Sequence, residues 1–493
     1  MRNFVRLIVV LVLLSGCIHV TKAEWNDSVM YKAEVGTTLS AGAHTPLWLN
    51  ANRYGFSSLE RNNVWLRLGA FKQLDEKKDF SWGAGIDMGV AHRFQSTFVP
   101  QQLYAEVRYR CLDALVGAKE INDGFLPHDL SSGALTQGWN SHPIPQIKIG
   151  IFDYANVWGC KDFFAIKGHI AYGVFDDNWW IKRWADPFYA YTLNTLYCSR
   201  AIYFRGGNAE KFPLEGELGL VMDTQFGGKT WTPDGKGSGT WEKHPTSLKA
   251  WLKALVPMHG GDDTPMADQT NVEGNFLGNW SASLRWQDPR GWMVRAYYQH
   301  FFEDHSMLFF DYPWKDGLYG IQGKLPKNPV LSEVVYEFLY MKDQGGPVYW
   351  DHTDKIDYQV SGRDGYYNNY MYNGWQNWGQ IIANPLVTSP IYNANHRLEL
   401  YSTRISANHF GLKGEPSEQV GWRALFSHTR SWGRYDAPFE HPKANFSWLA
   451  EVKYHPRKLK GWEGTFSLAG DHGALLGNSF GMLLSISKSG RLF

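Results

Sequence analysis

Apolar and polar residues alternate along much of the chain with a period of two. In residues 102–111, apolar side chains such as Leu103 and Val107 alternate with the charged Glu106 and Arg108. The same alternation recurs in residues 64–73, 217–225, 279–287, 292–299 and 446–455. Because a strand points successive side chains to opposite faces, each segment predicts a β-strand with one apolar and one charged face.

A soluble β-sandwich also alternates, so the length and the ends of these strands decide between sandwich and barrel. The segments are about ten residues long, which is the length of a tilted strand that crosses a bilayer. Aromatic residues stand near their ends on the apolar face, as at Trp280, Trp286, Phe446 and Tyr454. Only helices and closed barrels pair every backbone group in lipid. The pattern therefore predicts an all-β transmembrane barrel of the outer-membrane type.

Two further segments bear on the barrel. Residues 332–341, SEVVYEFLYM, could form a strand or a short helix. We favour a strand that points Glu333 and Glu337 into the lumen and Val334, Tyr336, Phe338 and Tyr340 outward. The chain closes on an aromatic residue after the alternating segment 482–486, which resembles the signal that outer-membrane assembly machinery reads.

The N-terminus has the pattern of a bacterial export signal. Arg2 and Arg6 flank the start of an apolar run, LIVVLVLL, that is too short to span a bilayer as a mature helix. The small residue Ala23 predicts cleavage by signal peptidase immediately after it. An alternative is the lipobox-like LSGC, which would place a lipid on Cys17. We expect residues 1–23 to be a cleaved signal peptide and residues 24–493 to form a single barrel domain with long loops.

Composition narrows the possible functions. The chain has 28 Phe, 26 Tyr and 23 Trp among 493 residues, and 49 basic against 48 acidic residues. A net charge of +1 argues against nucleic-acid binding, which needs a basic excess. So many aromatic residues are typical of glycan binders and of outer-membrane barrels, whose interfaces carry aromatic girdles.

The candidate catalytic and metal-binding patterns are weak. Gly477 to Gly481 matches GxSxG, but the 12 residues that follow contain no His, Asp or Glu to complete a triad. The HFFEDHS segment that begins at His300 lacks the spacing of a metal site. The pairs Asp176-Asp177 and Asp262-Asp263 are typical of turns. We expect no enzymatic activity, no cofactor and no metal.

Two aromatic and amide-rich runs are stronger candidates, because flat rings with polar tips suit the C–H faces and hydroxyls of sugars. An alternative use for such rings is an interfacial girdle or the packing of plugging loops. The glycan-contact candidates are Trp179, Trp180, Trp184, Tyr366, Tyr367, Asn368, Asn369, Tyr370, Trp375 and Trp378.

An ordered series of short motifs resembles the Wzi-type capsule assembly family of Gram-negative outer-membrane barrels. It is sharpest in residues 35–56, VGTTLSAGAHTPLWLNANRYGF, and continues through LSSG at 130–133 and PIPQ at 143–146. Later pieces are QHFFED at 299–304, DGL at 316–318, YYNN at 366–369 and NPL at 384–386. The resemblance implies about 18 antiparallel strands, with a lumen closed by loops and a small periplasmic-side helical plug. It also implies a lectin-like role in holding capsular polysaccharide at the cell surface.

The sequence therefore predicts a non-enzymatic outer-membrane barrel that binds or organises capsular or other surface polysaccharide. The expected partners are that polysaccharide, outer-membrane lipid and, during biogenesis, the barrel assembly machinery, with no nucleic acid. One alternative is a porin or channel for glycans or other solutes. Another is a glycan-degrading enzyme, which would need a converging pair of carboxylates in an open pocket.

Overall fold

The computed structural model describes residues 29–157, 163–208, 211–256, 274–303, 307–308, 314–326, 328, 330–346, 349–350, 359–360 and 363–492. Several features predicted from the sequence lie outside these residues and stay predictions. They are the signal peptide with Cys17 and Ala23, the Asp262-Asp263 pair, Asp304 and the C-terminal Phe493.

Eighteen antiparallel strands form one closed sheet. In chain order they are β1 Met30–Gly42, β2 Asn63–Lys72, β3 Phe80–His92, β4 Phe98–Tyr109, β5 Leu112–Ala118, β6 Gln146–Asn156, β7 Phe164–Val174, β8 Leu196–Gly207, β9 Leu214–Phe226, β10 Asn275–Gln287, β11 Met293–Glu303, β12 Gly317–Lys324, β13 Glu333–Met341, β14 Ile405–Ser417, β15 Val420–Gly433, β16 Pro438–Tyr454, β17 Trp462–Gly473 and β18 Ser479–Arg491. β1 pairs with β2 on one side and with β18 on the other, so the sheet has no free edge. The predicted all-β barrel of about 18 strands is confirmed.

The two faces of each strand differ as the alternation predicts. Leu103, Leu218 and Leu284 are 57–62% exposed on the outer face, whereas Glu106 and Glu337 on the inner face are at most 5% exposed. An apolar outer wall suits lipid tails, and a charged inner wall suits a wet lumen. Residues 333–341 form a strand with both glutamates inward, as predicted.

Aromatic side chains ring one end of the outer wall. They lie where strands begin or end, or in the short turns between them. The ring comprises Phe80, Trp82, Tyr109, Trp286, Trp292, Tyr454 and Trp462. Amphipathic rings at this level match the interfacial girdle of an outer-membrane barrel.

The connections between strands are strongly unequal at the two ends of the barrel. At the end that holds residues 29 and 492, strands join through short turns such as 110–111 and 418–419. At the opposite end lie the long connections 43–62, 119–145, 175–195, 227–274 and 342–404. We call these the turn end and the long-loop end. Outer-membrane barrels have short periplasmic turns and longer extracellular loops, so the long-loop end corresponds to the outer face.

The long connections carry the helices and minor strands. The helices are α1 Leu47–Asn50, α2 Asn178–Trp184 and α3 Leu248–Leu255, with a 3-10 turn at Pro390–Tyr392. A three-stranded sheet pairs Tyr191–Leu193, Lys229–Pro233 and Gly239–Lys243. Two small ladders pair Tyr349–Trp350 with Gln359–Val360 and Gln376–Asn377 with Gln380–Ile381. Within the described residues, no helix is long and apolar enough to span a bilayer.

Helix α3 packs against the outer wall rather than inside the lumen. The Ser247 hydroxyl caps its N-terminus by accepting a hydrogen bond from the Ala250 N–H at 3.3 Å. Arg200 points outward from β8, yet is only 6% exposed, because its guanidinium donates to the Ala254 carbonyl at 2.7 Å. The C-terminal carbonyl end of a helix suits a cation. The helix thus shields a charge that the outer wall would otherwise leave in lipid.

Candidate functional site

Helix α1 fills part of the lumen. All four of its side chains are buried, and the backbone N–H of Leu47 donates to Asp471 Oδ2 on β17 at 2.8 Å. The Trp48 ring packs at 5.2 Å from the ring of His409 on β14. The resemblance implied a periplasmic-side helical plug. α1 belongs to connection 43–62 and so enters from the long-loop end, and the helical element implied for the periplasmic side stays a prediction.

Glu337 on β13 holds the loop 119–145 against the inner wall. Its carboxylate accepts hydrogen bonds from the Ser131 hydroxyl at 2.6 Å and from the Ser132 N–H and hydroxyl at 2.7 and 2.5 Å. It also accepts one from the Tyr297 hydroxyl on β11 at 2.6 Å. All these donors are neutral, and hydrogen bonds to a carboxylate are stronger than neutral ones. Glu337 therefore acts as a latch, in the sense that its hydrogen bonds fasten loop 119–145 to the inner wall of the barrel.

Asparagine side chains tie three long connections to one another. Asn52 in connection 43–62 donates to the Ser132 carbonyl at 3.0 Å, and its own N–H donates to Asn140 Oδ1 at 3.0 Å. Asn384 in connection 342–404 donates to the Gly133 carbonyl at 2.7 Å. Each asparagine pairs with backbone groups that loops would otherwise leave unsatisfied in the interior. The three connections thus form one interlocked plug.

Three of the predicted glycan-contact residues belong to the apolar interior of this plug. Tyr366, Tyr367 and Trp375 each have 0% of their surface exposed. Tyr366 and Tyr367 pack at 4.7 and 4.8 Å from the ring of Phe301 on β11, and Trp375 Nε1 donates to the Thr136 carbonyl at 2.7 Å. Their position fits the plug interpretation of the aromatic runs.

The two predicted aromatic runs meet at Trp378. The ring of Trp179 lies edge-on to it at 4.8 Å, and the His142 ring stacks on it at 4.2 Å. Trp378 Nε1 donates to Asp176 Oδ1 at 2.9 Å, so its polar tip is satisfied while only 6% of the residue is exposed. Burial lowers the pKa of His142, which favours a neutral ring in the stack.

Helix α2 packs its tryptophans against connection 342–404. Trp180, which is 3% exposed, stacks on Trp184 at 5.5 Å, and Trp184 stacks on His396 at 4.3 Å. Gly379, at φ +78°, lies so close to Trp180 that a Cβ atom would fall 2.3 Å from its ring. Asp177, just before the helix, accepts a hydrogen bond from Gln376 at 3.0 Å, and burial raises its pKa to about 7.

A smaller group of aromatic side chains remains accessible at the long-loop end. We call it the rim group; its members are at least 37% exposed. They are the predicted Trp179 and Tyr370 together with Phe188, Tyr189 and Trp241. Asn368 and Asn369 are partly exposed beside Tyr370.

The small three-stranded sheet connects the rim group. Trp241 packs at 5.7 Å from Tyr191, and the next residue, Thr192, donates to the Met371 carbonyl beside Tyr370. The Arg397 guanidinium lies 4.2 Å from the Tyr189 ring. Sequence reasoning missed Phe188, Tyr189 and Trp241, although all three lie in aromatic-rich connections, because exposure depends on how the loops fold.

The other chemical candidates do not converge. His300 lies on the outer face of β11 and Glu303 on its inner face, where Glu303 accepts the Tyr367 N–H at 3.1 Å. Ser479 is the first residue of β18, so no helix follows it as a nucleophile elbow requires. Within the described residues, no group of three or more His, Cys, Asp or Glu side chains is arranged to hold a metal ion.

Comparison with known proteins agrees on the fold. No protein-family model and no curated protein matches the sequence. Among solved structures, the chain is similar to Wzi of Escherichia coli, described as an outer-membrane protein involved in group 1 capsule assembly and as a carbohydrate-binding β-barrel. The TM-score is 0.57 at 12% identity, over 92% of this chain and 83% of that chain.

A second similar structure is OccK3 (OpdO) of Pseudomonas aeruginosa, with a TM-score of 0.47 at 10% identity over 94% of this chain and 96% of that chain. OpdL of the same organism has a TM-score of 0.46 at 8% identity over 94% and 99% of the two chains. At 12% identity, the likeness to Wzi shows the fold alone, and that fold is an outer-membrane β-barrel. The architecture implied by the Wzi-type resemblance is thereby confirmed.

Proposed function

We propose that this protein is a non-enzymatic outer-membrane barrel that binds or organises capsular or other surface polysaccharide and helps to hold it at the cell surface. The observation that carries the proposal is the rim group, a set of exposed aromatic side chains at the long-loop end of a plugged barrel. The carbohydrate binding ascribed to Wzi, whose fold is similar, supports the same function.

The rim group has the chemistry that polysaccharide requires. Trp179 and Tyr370 offer flat faces for the C–H surface of a sugar ring, and their polar edges can bond its hydroxyls. Asn368 and Asn369 supply amides beside Tyr370. The buried Tyr366, Tyr367, Trp375, Trp378 and Trp180 would serve this surface indirectly, by fixing the loops that present it. Preorganised contacts bind more tightly because less flexibility is lost.

The interlocked plug favours binding over solute diffusion, which is the porin alternative. Loops 43–62, 119–145 and 342–404 hold one another inside the barrel through Asn52, Asn140 and Asn384. Current through single molecules in planar bilayers separates the two functions. We expect only low conductance from the wild-type protein, whereas a stable open channel would favour the porin.

Replacing two rim residues tests the proposal. We expect the double variant Trp179→Ala, Tyr370→Ala to bind the host's surface polysaccharide roughly ten- to hundredfold less tightly, since each lost aromatic contact is worth about 0.5–1.5 kcal/mol. Binding is measured on purified protein, and cell-attached against released polysaccharide is measured on cells. Trp286→Ala, which removes an exposed ring from the lipid-facing wall, is the matched control.

Deletion of the whole protein is the decisive test of the proposal in cells. We expect more released and less attached polysaccharide, and unchanged attachment would contradict the proposal.

The proposal includes export by a signal peptide cut after Ala23 and insertion by the barrel assembly machinery. The mass of the mature N-terminus distinguishes that cleavage from lipid attachment at Cys17.

A further inference from the structure

The lumen is not filled at the turn end, where two cavities of about 440 and 490 Å³ lie side by side. Asp123, Asp153 and Lys167 line both of them. The larger cavity is lined in part by side chains of β12 and β13. The smaller cavity extends to Trp139 in the plug. Cavities of this size accept a small ligand.

Lys148 on β6 points into the smaller cavity. It is 8% exposed, and its ammonium has no hydrogen-bond or ion-pair partner among the residues that the structure describes. The Lys148 ammonium nitrogen lies 5.1 Å from the centre of the Phe152 ring. The ammonium nitrogen is open to the cavity rather than sealed among apolar groups, so an anion in the cavity can accept its hydrogen bonds.

The other charged groups around Lys148 already have partners. Lys119 binds both oxygens of Glu106, at 2.8 and 2.7 Å. Asp123 accepts the Phe125 N–H at 2.9 Å and the Tyr203 hydroxyl at 2.7 Å. Glu106 and Asp123 therefore have their hydrogen bonds elsewhere.

Three more groups lie near Lys148, two on β7 and one on β9. Lys167 on β7 donates to the Asp123 carbonyl, and His169 shares a hydrogen bond with Ser199 at 3.1 Å. Asp223 on β9 is fully buried, its Oδ1 accepts the Tyr197 hydroxyl at 3.2 Å and its Oδ2 accepts no hydrogen bond from the described residues, and it forms no ion pair with Lys148. Lys148 thus keeps donors that a ligand in the cavity can use.

We propose that Lys148, supported by Lys167, is an anion subsite inside the barrel that binds the carboxylate or phosphate group of a small molecule entering from the turn end. Tyr104 and Trp139 line the same cavity and offer rings against which a sugar carrying that group can pack. The subsite lies at the opposite end of the plug from the rim group, so it does not rest on the proposed polysaccharide function.

Ligand-induced stabilisation of the purified full chain tests the subsite. Inorganic phosphate, glucuronate and neutral glucose are titrated at constant ionic strength, and the midpoint of thermal unfolding is followed. We expect a saturable rise with phosphate, glucuronate or both, and none with glucose. A response to glucuronate alone identifies a carboxylate as the bound group, and a response to phosphate alone identifies a phosphate. No rise with either anion overturns the proposal, whatever the variants do.

Lys148→Met removes the charge while keeping a similar volume. We expect at least tenfold weaker anion binding in this variant and wild-type binding in Lys458→Met, which removes the same charge from an exposed turn outside the cavity. Lys148→Arg should bind anions again. Equal affinity of the wild type and Lys148→Met would also overturn the proposal, and the wild-type titration decides if Lys148→Met does not fold.

Discussion

At the residue scale, neighbouring side chains on one strand experience different solvents. Leu284 on β10 is 57% exposed on the outer wall, and Arg285 beside it forms an ion pair with Glu215 at 3.0 Å. We expect Leu284→Arg to destabilise the barrel by about 2–4 kcal/mol, because it places a charge on the lipid face. The measurement is reversible unfolding in lipid vesicles.

Arg285→Leu is the matched exchange on the inner face. It removes an ion pair between two partly exposed side chains, which is worth about 0–1 kcal/mol. We therefore expect a much smaller loss of stability than from Leu284→Arg. If both variants unfold alike, the assignment of outer and inner faces is wrong.

Asp177 makes the packing of α2 depend on pH. Burial raises its pKa from 3.8 to about 7, so the folded state binds a proton that the unfolded chain releases. The stabilisation from that proton is complete below about pH 4 and is lost as the pH rises through about 7. We expect the midpoint of thermal unfolding to fall over this range, and to fall less in Asp177→Asn.

The pH dependence of the thermal midpoint will not vanish entirely in Asp177→Asn. Burial also raises the pKa of Asp316, at the end of another long-loop connection, to about 7. The double variant Asp177→Asn, Asp316→Asn should therefore have the flattest profile. Identical profiles in the wild type and in Asp177→Asn would show that Asp177 is ionised in the fold.

The facing of single residues could be predicted from sequence because it depends only on the period of two. Leu103 faces outward and Glu106, three residues later on the same strand, faces the lumen. The accessibility of the aromatic candidates could not be predicted in the same way. Tyr367 and Tyr370 stand three residues apart in one run, yet one is fully buried and the other is 61% exposed. That difference arises from loops that are distant in sequence.

At the scale of elements, the contact between β13 and loop 119–145 depends on Glu337. We expect Glu337→Ala to free the loop from the wall, because it leaves buried donors on Ser131, Ser132 and Tyr297 unpaired, at about 1–3 kcal/mol for each. Single-molecule conductance in planar bilayers should rise, and the midpoint of thermal unfolding should fall.

Glu333→Ala is the control on the same strand. Glu333 also faces the lumen, but its partners are Lys413 at 3.1 Å and Gln322 on the neighbouring barrel strands. Its removal should leave the conductance unchanged. Unaltered conductance in Glu337→Ala, or equal increases in both variants, would contradict the role of Glu337 as the latch.

Helix α1 shows why the plug could not be located from sequence. It is one turn long and all of its side chains are buried, so it has neither the length nor the polar face that produces a period of 3.6. Its position depends on Asp471 and His409, which are remote along the chain. The strands, by contrast, are about ten residues long and each repeats its own pattern.

At the scale of the whole molecule, three of the motifs that resemble the Wzi-type family meet in the plug. Asn52 lies in NRYG, Ser132 in LSSG and Asn384 in NPL, and hydrogen bonds join all three. The resemblance implied closure of the lumen by loops, and these three motifs lie in loops that close it. It gave no information about Phe188 or Trp241, which are exposed at the long-loop end.

The bond between the Leu47 N–H and Asp471 joins residues 424 positions apart and has a consequence for the order of folding. Leu47 follows β1 and Asp471 precedes β18, so the two meet only when the first and last strands have paired. Contacts across so long a loop form late, because the entropy of closing the loop must be overcome first. Docking of α1 on the inner wall therefore coincides with closure of the barrel, and a chain whose last strand has not yet paired lacks this part of the plug.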